Sequence, residues 1–251
     1  MTRKPKKPPV EPPCQPGSST PSDPMSKDFS GVVYVLPDGR ILAIDDAEAC
    51  FAFLAANESN PEKLKDALWG LTRECGESGK YEGALAYLEK ILTLEEDPDA
   101  RSRCCLTMGQ LFEGMGDLPE AVAAYSRAFA LPARENDTWY LLNNNLGYSL
   151  NQIGRHDEAE AYCRAAITID PERYNAHKNL GISLQGQGRY LEAAHCLLTA
   201  AHAAPGDTRA LSHLEDLLAR HEEIGRDHPE ILEAAQDCRE AARISTAQRI
   251  M

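Results

Sequence analysis

Two asparagines, Asn145 and Asn179, stand 34 residues apart, and each directly precedes a Leu-Gly pair. A side-chain amide carries both a hydrogen-bond acceptor and donors, so it can bracket a peptide unit whatever side chain that unit bears. Asparagine is a mediocre helix former, and neither residue is needed to build a helix. The pattern predicts that both asparagines hold the backbone of a bound polypeptide. The alternative is that they bond to local polar groups or face water.

A second candidate for chemistry is the glycine-rich segment 76–80, Gly-Glu-Ser-Gly-Lys. A phosphate-binding loop would need a glycine where Glu74 stands and a Ser or Thr where Tyr81 stands. We therefore interpret the segment as a turn between two helices.

No other residues form a recognisable catalytic or metal-binding motif. The patterns G-x-S-x-G, H-E-x-x-H and G-x-G-x-x-G are absent. His195 and His202 lie seven residues apart, two helical turns, which is too far to share a metal without other ligands. We expect a protein that is not an enzyme and that has no cofactor and no metal.

The eight cysteines include no C-x-x-C pair. Cys104 and Cys105 are neighbours on a predicted helix and point apart. A free cysteine behaves as a small hydrophobic residue. The sequence therefore predicts a reduced, cytoplasmic chain. The cysteines expected to be mostly free thiols are Cys50, Cys75, Cys105, Cys163 and Cys196.

The charge of the 251-residue chain is strongly acidic, with a formal net charge of −13. Such a chain is unsuited to binding a nucleic-acid backbone. It favours basic or uncharged partners. No apolar run approaches the ~20 residues that a membrane-spanning helix needs.

The sequence pattern around these residues recurs with a fixed period of 34 residues. A period of this size indicates stacked supersecondary units. The recurring pairs are Gly147 and Gly181, Ala159 and Ala193, and Pro171 and Pro205. Each proline ends a unit because the residue before it is pushed out of the helical region.

These residue types and their spacing resemble the tetratricopeptide repeat signature. The resemblance implies an all-α superhelix, or solenoid, over residues 61–205. About four repeats are expected, at 65–98, 102–135, 140–173 and 174–207. The first two match less well, since Thr72 replaces the glycine and Ala133 stands where proline is expected.

In this family the first helix of each repeat lines a concave groove that binds peptides. Carried onto this sequence, the resemblance implies a groove formed by Trp69, Arg73, Arg103, Gln110, Asn144, Asn145, Tyr148, Asn151, Gln152, Lys178, Asn179, Ile182 and Gln185. It implies close helix crossings at Gly109, Gly147, Gly181, Ala121, Ala159 and Ala193. The family's clamp for the C termini of chaperones is not expected, because Lys178 is the only clear basic candidate in the two later repeats.

Both ends of the chain depart from the repeat. Residues 1–28 are rich in Pro and Lys and are predicted to be disordered. Residues 29–60 read as a β-hairpin, with Val-Val-Tyr-Val-Leu and Ile-Leu-Ala-Ile around a Pro-Asp-Gly-Arg turn, followed by a helix. The hairpin either caps the solenoid or forms an edge for a dimer or partner. Residues 208–251 are predicted to be C-terminal capping helices.

Taken together, the sequence predicts a non-catalytic protein–protein interaction module, an adaptor or chaperone-like protein that binds a polypeptide segment in its groove. The alternative is a self-associating scaffold that forms a homodimer through the hairpin or the terminal helices. Less favoured alternatives are a type III secretion chaperone-like protein and a regulatory subunit of an enzyme.

Overall fold

The computed structural model describes residues 32–35, 41–44, 52, 53, 55, 56, 58–132 and 136–250. From residue 58 onward the described chain consists of helices joined by short turns. The helices are α1 (Pro61–Glu77), α2 (Tyr81–Leu94), α3 (Pro98–Met115), α4 (Leu118–Ala128), α5 (Asn136–Gln152), α6 (His156–Ile169), α7 (Tyr174–Gly186), α8 (Tyr190–Ala203), α9 (Arg209–Arg220), α10 (Glu222–Asp227) and α11 (Pro229–Ile250).

Local sequence signals explain where several helices begin. The Asn60 side chain caps α1 by accepting hydrogen bonds from the backbone nitrogens of Glu62 at 3.0 Å and Lys63 at 3.3 Å. Asp97 caps α3 by accepting from the Ala100 nitrogen at 2.8 Å. In both helices a proline occupies the first turn, where its missing N–H costs nothing.

Glycines with left-handed backbone make the turns inside each helix pair. Four glycines have φ between 72° and 80°, a region that other residues seldom adopt: Gly79, Gly116, Gly154 and Gly188. Each follows the first helix of a pair, so the chain reverses and the second helix packs antiparallel to the first. The glycine-rich segment 76–80 forms the first of these turns.

The helices pack as hairpins that stack on one another. The pairs are α1 with α2, α3 with α4, α5 with α6, and α7 with α8, and each second helix also packs on the first helix of the next pair. The first helices α3, α5, α7 and α9 touch one another in sequence, whereas successive second helices make at most marginal contact. The first helices therefore form the inner row. This architecture confirms the predicted all-α solenoid.

Each repeat contributes to a core that continues from one pair to the next. In the middle of the chain, Leu142, Leu146 and Leu150 of α5 are buried together with Tyr125 of α4 and Ala159 of α6. Since α5 packs between the pair before it and its own second helix, the repeats stabilise one another through a shared apolar layer.

The C-terminal helices pack against the last helix pair, and their role as a cap stays a prediction. Helix α9 buries Leu211, Leu214 and Leu217, and α11 packs against α8 and α9. The buried residues of α11 are Ile231, Ala235, Cys238 and Ala242. Between them lies the short helix α10, which the sequence did not predict as a separate element.

Near the N terminus, strands β1 (Val32–Val35) and β2 (Ile41–Ile44) pair antiparallel, with Val32 opposite Ile44 and Val35 opposite Ile41. The predicted leader 1–28 and hairpin turn 37–40 lie outside the described residues, as does most of the helix predicted after the hairpin. A capping role for residues 29–60 stays a prediction.

Candidate binding site on the inner face

The inner row of first helices carries every residue predicted for the groove. Helix α1 holds two of them, α3 two, α5 five and α7 four. The predicted groove residues therefore lie on four first helices that come from separate segments of the sequence.

These residues differ greatly in their access to solvent. The exposed ones are Arg73, Arg103 and Gln152, and the half-buried ones are Trp69, Gln110, Ile182 and Gln185. The buried ones are Asn144, Asn145, Tyr148, Asn151, Lys178 and Asn179. The accessible surface is thus made mostly of amides and arginines, and the asparagines lie beneath it.

The buried asparagines form a hydrogen-bonded ladder between α5 and α7. The Asn179 Nδ2 donates to the Asn144 side-chain oxygen at 3.0 Å and to the Asn144 backbone oxygen at 3.3 Å. Asn144 in turn donates to Asn145 Oδ1 at 3.0 Å, and Asn151 donates to the Asn179 backbone oxygen at 2.9 Å. These bonds to local polar groups join two neighbouring repeats. Contact of Asn145 and Asn179 with a bound backbone stays a prediction.

A serine on α5 and one on α7 extend this polar layer. Ser183 on α7 lies 3.0 Å from Asn151 Oδ1, and His156 Nδ1 lies 3.1 Å from the same oxygen. The sequence analysis did not identify Ser183 or its counterpart Ser149. Their own 34-residue spacing, two positions after each crossing glycine, was the signal that could have found them.

Two adjacent residues of α7 hold polar atoms that nothing in the described chain satisfies. Lys178 and Asn179 are both fully buried. Neither Lys178 Nζ nor Asn179 Oδ1 has a hydrogen-bond partner among the described residues. Buried polar groups without partners are rare and costly, so each calls for an explanation. One atom is a donor and the other an acceptor, which are the two functions that a peptide unit can satisfy.

A buried carboxyl group with no opposite charge beside it among the described residues lies on the inner helix α3. Glu113 on α3 is 8% exposed and accepts a hydrogen bond from Ser149 Oγ on α5 at 2.5 Å. Burial raises the pKa of Glu113 to about 7, although the hydrogen bonds from Ser149 and Tyr125 act in the opposite direction.

The glycines of the inner helices lie directly against their second helices. A methyl group added at Gly147 would lie 2.6 Å from Cys163 Sγ, and one added at Gly181 would lie 2.7 Å from Leu197 Cγ. At Gly109 the added carbon would lie 2.2 Å from the Tyr125 ring. The facing small residues Ala121, Ala159 and Ala193 are all fully buried. This close approach fixes the distance between the two helices of a repeat.

The described cysteines are free and mostly buried: Cys75, Cys104, Cys105, Cys163, Cys196 and Cys238. Burial raises the pKa of Cys104 and that of Cys163 to about 12, so neither is a reactive thiolate near neutral pH. Cys50 lies outside the described residues.

The described residues hold no group of three or more His, Cys, Asp or Glu side chains that could bind a metal ion. Within the same part of the chain, no helix combines the length and the apolar character needed to cross a bilayer.

Sequence comparisons match the helices between residues 106 and 218. Two models of the tetratricopeptide repeat match, one at residues 106–174 and one at residues 152–218. Over 107 residues the chain is 36% identical to a peroxisomal targeting signal receptor of Eremothecium gossypii, which covers 42% of this chain and 17% of the receptor. It is 33% identical over 92 residues to the human tetratricopeptide repeat protein 7B, covering 37% of this chain and 10% of that protein. The chain thus spans less than a fifth of these relatives.

A shorter relative matches over most of its length. The chain is 27% identical over 144 residues to the photosystem I assembly protein Ycf3 of Rippkaea orientalis, covering 53% of this chain and 82% of Ycf3.

Solved structures share the fold at low sequence identity. A MamA fragment from Desulfovibrio magneticus superposes with a TM-score of 0.59 at 20% identity, covering 71% of this chain and 95% of the fragment. YrrB, described as a protein with an unusual peptide-binding site, gives a TM-score of 0.56 at 19% identity, with coverages of 82% and 100%. The matched repeats, the stacked helix pairs and the glycines at their crossings lead to one conclusion: this chain belongs to the tetratricopeptide repeat family.

Proposed function

We propose that this protein is a non-catalytic interaction module whose inner face binds a segment of a polypeptide. The observation that carries the proposal is the pair of unsatisfied buried atoms on α7, Lys178 Nζ and Asn179 Oδ1. Both atoms are covered in the described conformation, so a peptide reaches them only when the side chains above them move aside. Its carbonyl oxygen can then accept from Lys178, and its N–H can donate to Asn179. Binding would then remove the cost of leaving both atoms without partners.

The accessible part of the inner face suits such a ligand. The amides of Gln110, Gln152 and Gln185 offer donors and acceptors along three successive repeats, and the half-buried Ile182 supplies an apolar contact. The net charge of −13 favours a basic or uncharged segment over a nucleic acid.

The comparisons support this choice without identifying the partner. YrrB is described as having a peptide-binding site, one relative is a receptor for a targeting signal, and another is an assembly protein. An adaptor or chaperone-like role is consistent with all three descriptions. We infer a cytoplasmic location from the free, buried thiols.

Peptide selection followed by affinity measurement tests the proposal. Peptides selected on the full chain from a displayed random library would be labelled, and their binding measured by fluorescence anisotropy. Ile182→Glu places a charge on the inner face, and we expect it to weaken binding at least about tenfold, or 1.4 kcal/mol. Thr199→Glu adds the same charge on the exposed side of α8 and should leave the affinity unchanged.

Thermal melts of both variants show whether the fold is kept. Equal affinities of the two folded variants would place the binding surface away from the inner face. Two independently selected peptides should compete with each other for the protein. If no such pair competes, the proposal of a single groove is contradicted.

Self-association is the second candidate, and the terminal helix favours it. On α11, Leu232 is 48% exposed and Ile244 is 52% exposed, the two most exposed large apolar side chains of the described residues. In this case native mass spectrometry at micromolar concentration should show a dimer that Ile244→Asp dissociates. A monomer at that concentration would contradict the scaffold role.

A further inference from the structure

Successive inner helices meet at equivalent points, which we call joints. Each joint is formed by two residues on successive inner helices. One lies four positions after the crossing position of its own helix. The other lies two positions after the crossing position of the next inner helix. The hydrogen-bonded pairs are Glu113 with Ser149 and Asn151 with Ser183. At the equivalent first joint, a Cβ added to Gly76 would lie 3.3 Å from Leu111. The first joint is apolar and the third is a neutral amide with a hydroxyl. Of the three residue pairs, only the second includes an ionisable side chain; at the third, His156 Nδ1 lies beside the pair, 3.1 Å from Asn151 Oδ1.

The surroundings of Glu113 offer it hydroxyl groups but no opposite charge. Ser149, fully buried on α5, donates to Glu113 Oε1, and Tyr125 reaches the carboxyl from α4. From α2, Tyr81 lies against Gly114, the next residue of α3. No charged side chain of the described helices α1, α2, α4 or α5 is among the influences on this carboxyl.

We propose that Glu113 makes the joint between α3 and α5 sensitive to pH: the joint is closed while the carboxyl carries its proton and loosens when it ionises. A buried ion without a counter-charge is costly, so ionisation favours a state in which water reaches the carboxyl. Because this joint lies midway along the inner row, its loosening changes the orientation of the first two repeats relative to the last two.

The direction of the effect follows from the pKa. The pKa of Glu113 rises from its ordinary 4.5 to about 7 in the closed joint. The closed state therefore binds its proton more tightly than the open state does. Its stability is greatest below pH 4.5, falls as the pH rises, and reaches its lowest level above pH 7.

Hydrogen exchange of the full chain, without any ligand, tests this joint. Exchange would be followed by mass spectrometry at pH 6 and pH 8 and corrected for the intrinsic pH dependence. With these two pKa values, the opening constant of the segment from α3 to α5 should rise about tenfold between pH 6 and pH 8. Helix α8, which lies away from the joint, should show no such rise.

Three variants make the test specific to Glu113. Glu113→Gln keeps the size and the oxygen acceptor and should abolish the rise, whereas the exposed Glu120→Gln should retain it. Ser149→Ala removes a bond that lowers the Glu113 pKa, so the midpoint should move to higher pH. The proposal is overturned if Glu113→Gln keeps the wild-type pH dependence or if the midpoint in Ser149→Ala stays or falls. Because no peptide is present, either result leaves the proposed peptide binding untouched.

Discussion

Adding a single methyl group at Gly109 should destabilise the protein, because the space it needs is already filled. In Gly109→Ala the new carbon would lie 2.2 Å from one Tyr125 ring carbon and 2.5 Å from two others. Tyr125 is fully buried, and its hydroxyl reaches Glu113, so the ring has no free direction in which to move. The helices α3 and α4 must separate instead.

The expected size of this effect is the difference of two opposing contributions. Overpacking a buried site costs roughly 1–3 kcal/mol, and a contact this short belongs at the upper end. Replacing glycine by alanine inside a helix returns about 0.5–1 kcal/mol. The net loss in the free energy of unfolding should therefore be about 2 kcal/mol. For a chain of this size that corresponds to a fall in Tm of roughly 4–8 °C.

The matched control is Gly83→Ala in α2. Its added carbon would lie 3.6 Å from Cys75 Sγ, an ordinary van der Waals distance, so only the helix-propensity gain remains. Circular dichroism at 222 nm during thermal and urea unfolding should show Gly83→Ala slightly more stable than wild type and Gly109→Ala clearly less stable. If Gly109→Ala melts at or above the wild-type temperature while the control gains stability, the close crossing of α3 and α4 is refuted.

Two further predictions concern the buried polar layer and the thiols. Asn179→Ala removes both hydrogen bonds to Asn144, which join two repeats, and should lower the free energy of unfolding in urea by about 1–3 kcal/mol. The loss should exceed that of Asn143→Ala, whose hydrogen bond stays within one helix. Equal stabilities of the two variants would show that the ladder does not join the repeats. Cys104 and Cys163 should react with a thiol reagent only as the protein unfolds, because burial raises both pKa values to about 12; full labelling of the native protein within minutes would contradict their burial.

The solenoid could be predicted because its signals are local and repeated. The turn glycine Gly154 and the Asp97-Pro98 helix start act within a few residues of the chain, and the 34-residue period shows that the same helix pair recurs. Stacking then follows from the need of each helix pair to bury its apolar face. The short helix α10 has no counterpart in the repeat, and its sequence offered no comparable signal.

The state of the inner face was harder to predict because it depends on distant contacts. The phase of the repeat places Asn179 on the inner row, but its burial depends on Asn144, 35 residues earlier in the chain. Glu113 looks in the sequence like any other carboxylate on a helix. Its burial becomes evident only when Ser149 and Tyr125 are brought against it by the packing of α3, α4 and α5.

Site-specific photo-crosslinking of a bound peptide tests the central claim most directly, since it reports where the ligand lies. A benzophenone amino acid would replace Gln152, which is exposed on the inner helix α5, or His195, which is exposed on the second helix α8. The inner-face account predicts that a selected peptide crosslinks from position 152 and not from position 195. Crosslinking from position 195 alone would contradict it.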